Sequence, residues 1–342
     1  MPRDAGACGG IPIARPRYPG PAVASSSLRI HVVGGGIVGL ACALRLQDEG
    51  HRVTIVARDA LEDTTSAVAA AVWFPYLAEP RERVLAWASA TRRTLMRLGA
   101  DPASAIVERE LVELSVREVT GDPWWGGAVE RVERLQADEV PAEFAGGLRV
   151  RVPVVASLPH LVWLRARFMG RGGAWEQRAL DRRGLDALLA ASDVVVHCAG
   201  LGAAALEGDP EVVPVRGQVV RVANPGVERC TVADEGPYGI AYVVPRGDDV
   251  ILGGTADEGE SDRTPDPDVT ERILRAAAAL EPWLARPDVL DVRVGLRPVR
   301  SRVRLERDER GVVHCYGHGG SGYTLSWGCA DEVAALLTTT AR

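Results

Sequence analysis

The 342-residue chain is 46% hydrophobic, carries a formal net charge of −6, and draws all 40 of its basic side chains from arginine. That balance argues against nucleic-acid binding. The lack of lysine rules out a Schiff-base lysine, hence pyridoxal-phosphate chemistry, and the lysine of a phosphate-binding loop. No apolar run approaches the ~20 residues that span a bilayer, and the six cysteines are scattered without CxxC or metal-site histidine spacing.

Residues 1–27, rich in Pro, Gly, Arg and Ala, lack the apolar segment of a signal peptide. They read as a disordered extension or an upstream start, and the expected location is cytoplasmic. From Leu28 the text changes character. The β-rich run Ile30 to Val33 meets Gly34-Gly35-Gly36-Ile37-Val38-Gly39, then an apolar helical pattern, then a second β-rich run, Val53 to Ala57. This is the strand, glycine turn, helix and strand of a dinucleotide-binding unit. Gly34 suits the sharp turn, Gly36 the approach of backbone to a pyrophosphate, and Gly39 close packing of helix on strand. The diphosphate would sit at the helix N-terminus, where free N–H groups and the dipole favour an anion.

Next, Asp63-Thr64-Thr65-Ser66 precedes an Ala/Val run to Tyr76, a capped helix start or a segment able to lie against a flat ligand. Helical spacing covers Glu79 to Leu98, with Gly99 as a stop. Strand-like runs follow at Glu110 to Val116 and Leu148 to Val155. After a helix end at Leu185 to Leu189, a continuously apolar strand, Asp193 to Cys198, runs into the glycine turn around Gly200 and fits a central parallel strand. Val212 to Val222, Ala241 to Val244 and Val250 to Leu252 have the turn-separated pattern of a meander. Thr270 to Leu284 is helical, Val289 to Leu305 returns to strand, and Tyr316-Gly317-His318-Gly319-Gly320-Ser321-Gly322 opens a last helix, Tyr323 to Leu337. This second glycine turn is either a plain connection or a positive helix end aimed at an electron-rich group, such as the pyrimidine edge of a flavin.

Six motifs in order, VVGGGIVGL, ARD followed by EDTTSAVAA, PVRGQ, YGIAYVVPRGDDVILGGT, GLRPVRSRVRLE and YGHGGSGYTLSWG, resemble the flavin-dependent D-amino-acid oxidase family from Ile30 to about Leu337. The resemblance implies an α/β protein, α+β overall. A Rossmann-like FAD-binding domain (28–78, 156–207 and 297–342) would interleave with an antiparallel-sheet substrate-binding and interface domain (79–155 and 208–296). It further implies non-covalent FAD and a homodimer. The cofactor residues it points to are Gly34, Gly36, Ile37, Val38, Gly39, Arg58, Asp59, Thr64, Thr65, Ser66, Ala70, Val72, Gly200, Gly319, Gly320, Gly322, Tyr323 and Thr324. Arg58 occupies the usual acidic place of the ribose contact and Asp59 follows it, which leaves the division of that role between them open.

For the substrate, the resemblance puts the α-carboxylate on Arg297, supported by Tyr242, and the amine on the Gly320 carbonyl. Tyr238 matches a lid tyrosine. Taken alone, the tyrosine pair is equally a packing feature. The implied reaction is hydride transfer from substrate Cα to flavin N5, governed by positioning. The imino acid then hydrolyses to a 2-oxo acid and ammonia, with O2 reduced to hydrogen peroxide. No histidine base is needed, and His318 would hydrogen-bond around the flavin. Val72, Phe74 and Val244 are expected to line an apolar side-chain pocket, which favours neutral, apolar D-amino acids, because a buried substrate carboxylate needs a partner. D-aspartate oxidase and glycine or sarcosine oxidase are the alternatives within the superfamily, and an NAD-binding dehydrogenase is the alternative outside it. No metal is expected.

Overall fold

The computed structural model describes residues 27–76 and 78–338; the expected N-terminal extension, apart from residue 27, lies outside them. In chain order, β1 (Arg29–Val33), α1 (Ile37–Asp48) and β2 (Arg52–Ala57) form the opening βαβ unit. Gly34 has φ +116°, and a Cβ there would come within 2.3 Å of the Cys198 carbonyl oxygen. A Cβ on Gly39 would meet the Gly34 oxygen at 2.0 Å, so α1 crosses its own turn at backbone contact. The short α2 (Thr65–Val68) is N-capped by Thr64, and α3 (Arg81–Leu98) ends at Gly99.

β3 (Ile106–Ser115), β4 (Glu133–Arg134) and β5 (Gly146–Val155) form an antiparallel set. Then come α4 (Ser157–Gly170), β6 (Ala174–Gln177), α5 (Arg182–Ala191), β7 (Val194–His197) and α6 (Gly202–Glu207). The second half contains β8 (Val213–Ala223), β9 (Cys230–Ala233), β10 (Ala241–Pro245), β11 (Asp249–Gly253) and β12 (Asp257–Glu258). It closes with α7 (Pro267–Leu280), β13 (Val289–Arg307), β14 (Val312–His318) and α8 (Gly322–Thr338).

All strands join one mixed sheet, in the order β4-β5-β3-β9-β10-β11-β8-β13-β14-β7-β1-β2-β6, with β12 beside β8. β14, β7, β1, β2 and β6 pair in parallel, and the run from β9 through β13 to β14 is antiparallel. The architecture is mixed α/β. The 19-residue β13 bridges both halves, pairing with β8 through Val299 and with β14 from Val299 onward. A domain boundary at residue 297 therefore falls inside a strand.

The larger core lies under α1, α3, α4 and α8, and a second lies between α7 and the antiparallel strands. α3, expected with the substrate-binding half, packs on α8 as well as on β3 and β5. Val84, Trp87, Ala88 and Leu95 are buried there, the Trp87 indole donates to Glu332 at 2.7 Å, and the Gly328 amide donates to the Thr91 hydroxyl at 2.9 Å. Its apolar stripe alone does not say which layer it covers. α7 begins three residues before the expected Thr270. Asp266 accepts from the Asp268 and Val269 amides, and Pro267 occupies the first turn, where its missing N–H costs nothing. α4 has no counterpart in the sequence reading. Its Pro159 sits in the first turn, where proline is tolerated, and so does not break the helix.

Candidate active site

An elongated cavity of about 660 Å³ runs from the β1–α1 turn to the antiparallel strands. At one end it is walled by Gly34, Gly36, Ile37 and Val38. Gly36, the N-cap of α1, supplies no side-chain cap and the helix has no acidic residue in its first turn, so its positive end is left for an anion. The Ser66 hydroxyl accepts from the Ile37 amide at 3.1 Å and tethers the next wall segment to the turn. Thr65 donates to the Leu296 carbonyl at 2.9 Å, drawing α2 onto β13. Arg58 and Asp59, both at the cavity edge, form a two-bond pair at 2.9 and 2.8 Å, and that pairing holds the Asp59 carboxyl below its ordinary range. The adjacent acid and base thus act as one unit.

Ala70, Val72 and Gly200 line the middle, and Gly319, Gly320, Gly322 and Tyr323 the far helix end. α8, like α1, has no acid in its first turn. The Tyr323 hydroxyl donates to the Ser66 carbonyl at 3.0 Å, so the two helix ends share one wall. His318 also faces the cavity, and burial lowers its pKa to about 4, which keeps the imidazole neutral.

Beyond this lies a cluster of Arg297, Tyr242, Tyr76, Gly320, Thr255 and Asp234. The half-buried Arg297 guanidinium donates to the Thr255 carbonyl at 2.8 Å. Among the described residues it forms no ion pair with a carboxylate. The Tyr242 ring lies on bare backbone, since a Cβ on Gly253 would stand 2.1 Å from its Cζ. Burial raises the pKa of the Tyr242 hydroxyl, and Arg297 beside it opposes the shift. Asp234 is likewise pushed up by burial and then by Glu235. A planar, unpaired cation with a neutral phenol beside it is suited to hold a carboxylate by two parallel hydrogen bonds.

Four residues expected at the site lie off the cavity wall. Tyr238 precedes β10 and packs against the second core. Val244 is fully buried in the main core, covered because it lies two residues farther along β10 than Tyr242. Gly39 serves the helix–strand contact described above. Thr324 exchanges hydrogen bonds with the Phe74 backbone at 3.2 and 3.0 Å, so it positions a wall residue without lining the space. Tyr76, Asp234 and Thr255 were missed as site residues. The Gly253-Gly254 pair, which makes room for Tyr242 and precedes Thr255, was the available signal.

A family profile described as FAD dependent oxidoreductase matches residues 29–336. The chain belongs to this family. It is 48% identical over 312 residues to a D-amino-acid oxidase of Rubrobacter xylanophilus, an alignment covering 90% of this chain and 95% of the relative. It is 44% identical to a D-amino-acid oxidase of Streptomyces coelicolor, covering 90% and 96%. Its fold is similar to that of the glycine oxidase from Geobacillus kaustophilus, with a TM-score of 0.74 and 22% identity over 92% of this chain and 95% of that one. FAD is the family's cofactor, and the cavity fits it. Gly34, Gly35 and Gly36 offer a side-chain-free cradle at one helix end, and Gly319, Gly320 and Gly322 glycine backbone at a second, with a wall of small residues between them.

Proposed function

We propose that the protein is a D-amino-acid oxidase that deaminates neutral, apolar D-amino acids to 2-oxo acids and ammonia. The observation that carries this reading is the unpaired Arg297 guanidinium, half-buried in the cavity beside Tyr242 and Gly320. A desolvated cation without a carboxylate of its own is a standing site for an anionic ligand. Arg297 takes both oxygens of the α-carboxylate and fixes rotation about the substrate Cα. Tyr242 supports one of them, and the Gly320 carbonyl accepts from the amine, which must be neutral for the chemistry. Val72 and Phe74 present apolar surface to the side chain and exclude water. Bound FAD supplies the two-electron acceptor, with O2 reduced to hydrogen peroxide.

Among the described residues, Arg297 is the one cation in the cluster with Tyr242, Tyr76, Gly320, Thr255 and Asp234, so none stands there to pair with a second substrate carboxylate, and Asp234 opposes one. That speaks against an acidic substrate. The same Asp234 favours a second reading, in which D-amino acids with a cationic side chain are also accepted. Anaerobic mixing with a panel of D- and L-amino acids, followed by flavin bleaching, tests both. Bleaching by L-isomers alone would sink the assignment, and D-arginine bleaching faster than D-alanine would favour the second reading.

We extend the reading to a cytoplasmic homodimer with a two-part organisation. All five cysteines described are free and buried, which suits a reducing compartment. Trp283, Val289 and Leu290 leave large apolar surface exposed close together in the chain. Among the described residues no helix is long and apolar enough to cross a membrane. Light scattering of a purified monomer would reject the dimer.

A further inference from the structure

On the sheet face away from α1 and α8, neighbouring parallel strands bring two histidines side by side. His197 ends β7 and is the register partner of His314 on β14. Both are fully buried, with ring centroids 5.8 Å apart. Glu207, at the end of α6, closes the third side with a side chain only 4% exposed. One ligand atom from each of His197, His314 and Glu207 lies within 4.8 Å of the others. All three residues carry side-chain atoms without hydrogen-bond partners: both ring nitrogens of His197, Nδ1 of His314 and Oε1 of Glu207 are buried and unsatisfied. A buried polar atom left unpaired costs about 1–3 kcal/mol, so several in one place need an explanation.

We propose that His197, His314 and Glu207 bind a divalent transition-metal ion of the zinc type, at a site separate from the flavin cavity. Two imidazoles and a carboxylate suit zinc and its first-row neighbours. Ligand atoms each ~2.1 Å from one tetrahedral ion stand ~3.4 Å apart, so each of the three side chains has to draw in by up to about 0.8 Å to close the site. The surrounding shell has the arrangement metal histidines require. His314 Nε2 lies 3.1 Å from Asp308, which fixes the tautomer with Nδ1 free toward the ion. Glu207 Oε2 is held by Arg310, leaving Oε1 to face inward. The nearby guanidiniums are already paired: Arg310 with Glu207 and Asp308, and Arg304 with Glu306. Tyr316 abuts both rings and also lines the flavin cavity, so the ion would brace that wall from behind.

The test uses flavin-loaded protein stripped with a chelator, dialysed against zinc and analysed for metal content. One zinc per chain is expected. Asp308→Asn should weaken binding 10- to 100-fold, as loss of a carboxylate behind a ligating histidine does, and His197→Gln should abolish it while bound flavin is retained. Should His197→Gln not fold, Asp308→Asn and the X-ray absorption fine structure of the wild-type zinc form decide. Light-atom ligands at ~2.0–2.1 Å with imidazole scattering support the site. A sulfur shell at ~2.3 Å would move the ion to the buried cysteines and overturn the proposal. So would wild-type protein that retains no zinc, or equal binding by wild type and Asp308→Asn.

Discussion

The Arg297 guanidinium lies directly over the backbone of Gly217: a Cβ on Gly217 would come within 2.5 Å of Nη1 and 2.6 Å of Cζ. Gly217 pairs with Gly295 on the neighbouring strand, and the cation rests on the one residue of β8 that carries no side chain. Gly217→Ala should therefore push the guanidinium into the cavity while leaving FAD bound. A misplacement of about 1 Å at a positioning group can cost ~100-fold. Steady-state kinetics should show a lowered kcat/KM for D-amino acids with an unchanged flavin spectrum; unchanged kcat/KM would mean that the guanidinium position is not critical.

Arg297→Ala removes the cation altogether. Loss of one partner of a desolvated charge pair costs about 2–5 kcal/mol, so kcat/KM should fall between about 30-fold and several thousandfold. The flavin-to-protein absorbance ratio after gel filtration should stay at the wild-type value. Near-normal catalytic efficiency would reject the carboxylate-anchor role.

Phe74 lines the cavity and is 8% exposed, with its ring edge-to-face on Trp125 at 5.4 Å. Phe74→Arg supplies the cation that an acidic substrate needs, and the ratio of kcat/KM for D-aspartate over D-alanine should rise at least ~10-fold. An unchanged ratio would mean that Phe74 does not meet the substrate side chain.

Glu113 on β3 is the register partner of Val232 on β9, two residues before Asp234, and burial followed by Asp234 raises its pKa to about 7. A carboxyl whose folded pKa exceeds its unfolded value of ~4.5 binds an extra proton in the native state. It is therefore without effect below about pH 4.5, increasingly destabilising as the pH rises from about 4.5 to 7, and carries its full penalty above that. The penalty reaches at most about 3 kcal/mol above pH 7. Glu113→Gln should melt at a higher temperature than wild type at pH 8, and the gap should narrow at pH 5. A gap independent of pH would show that Glu113 does not titrate in this range.

By itself the sequence determined the features that depend on neighbouring residues. The β1–α1 turn was legible because the glycine spacing between strand and helix is itself local, and Gly39 answers to the Gly34 oxygen five residues back, although the contact that bars a Cβ at Gly34 comes from the distant Cys198. The second helix end at Gly319 to Tyr323 was legible for a similar reason, and the ordered motifs tied both to one flavin family. Only the tertiary structure decided which side chains share a space. Tyr238 and Tyr242 are four residues apart, but the strand begins at Ala241, so only Tyr242 follows its alternation into the cavity while Tyr238 turns to the second core. Asp234 and Tyr76 reach the cavity from segments far apart in the chain, and His197 meets His314 across 117 residues because β7 and β14 pair in parallel. Such meetings are set by sheet order and register, which depend on long-range packing that no local pattern records.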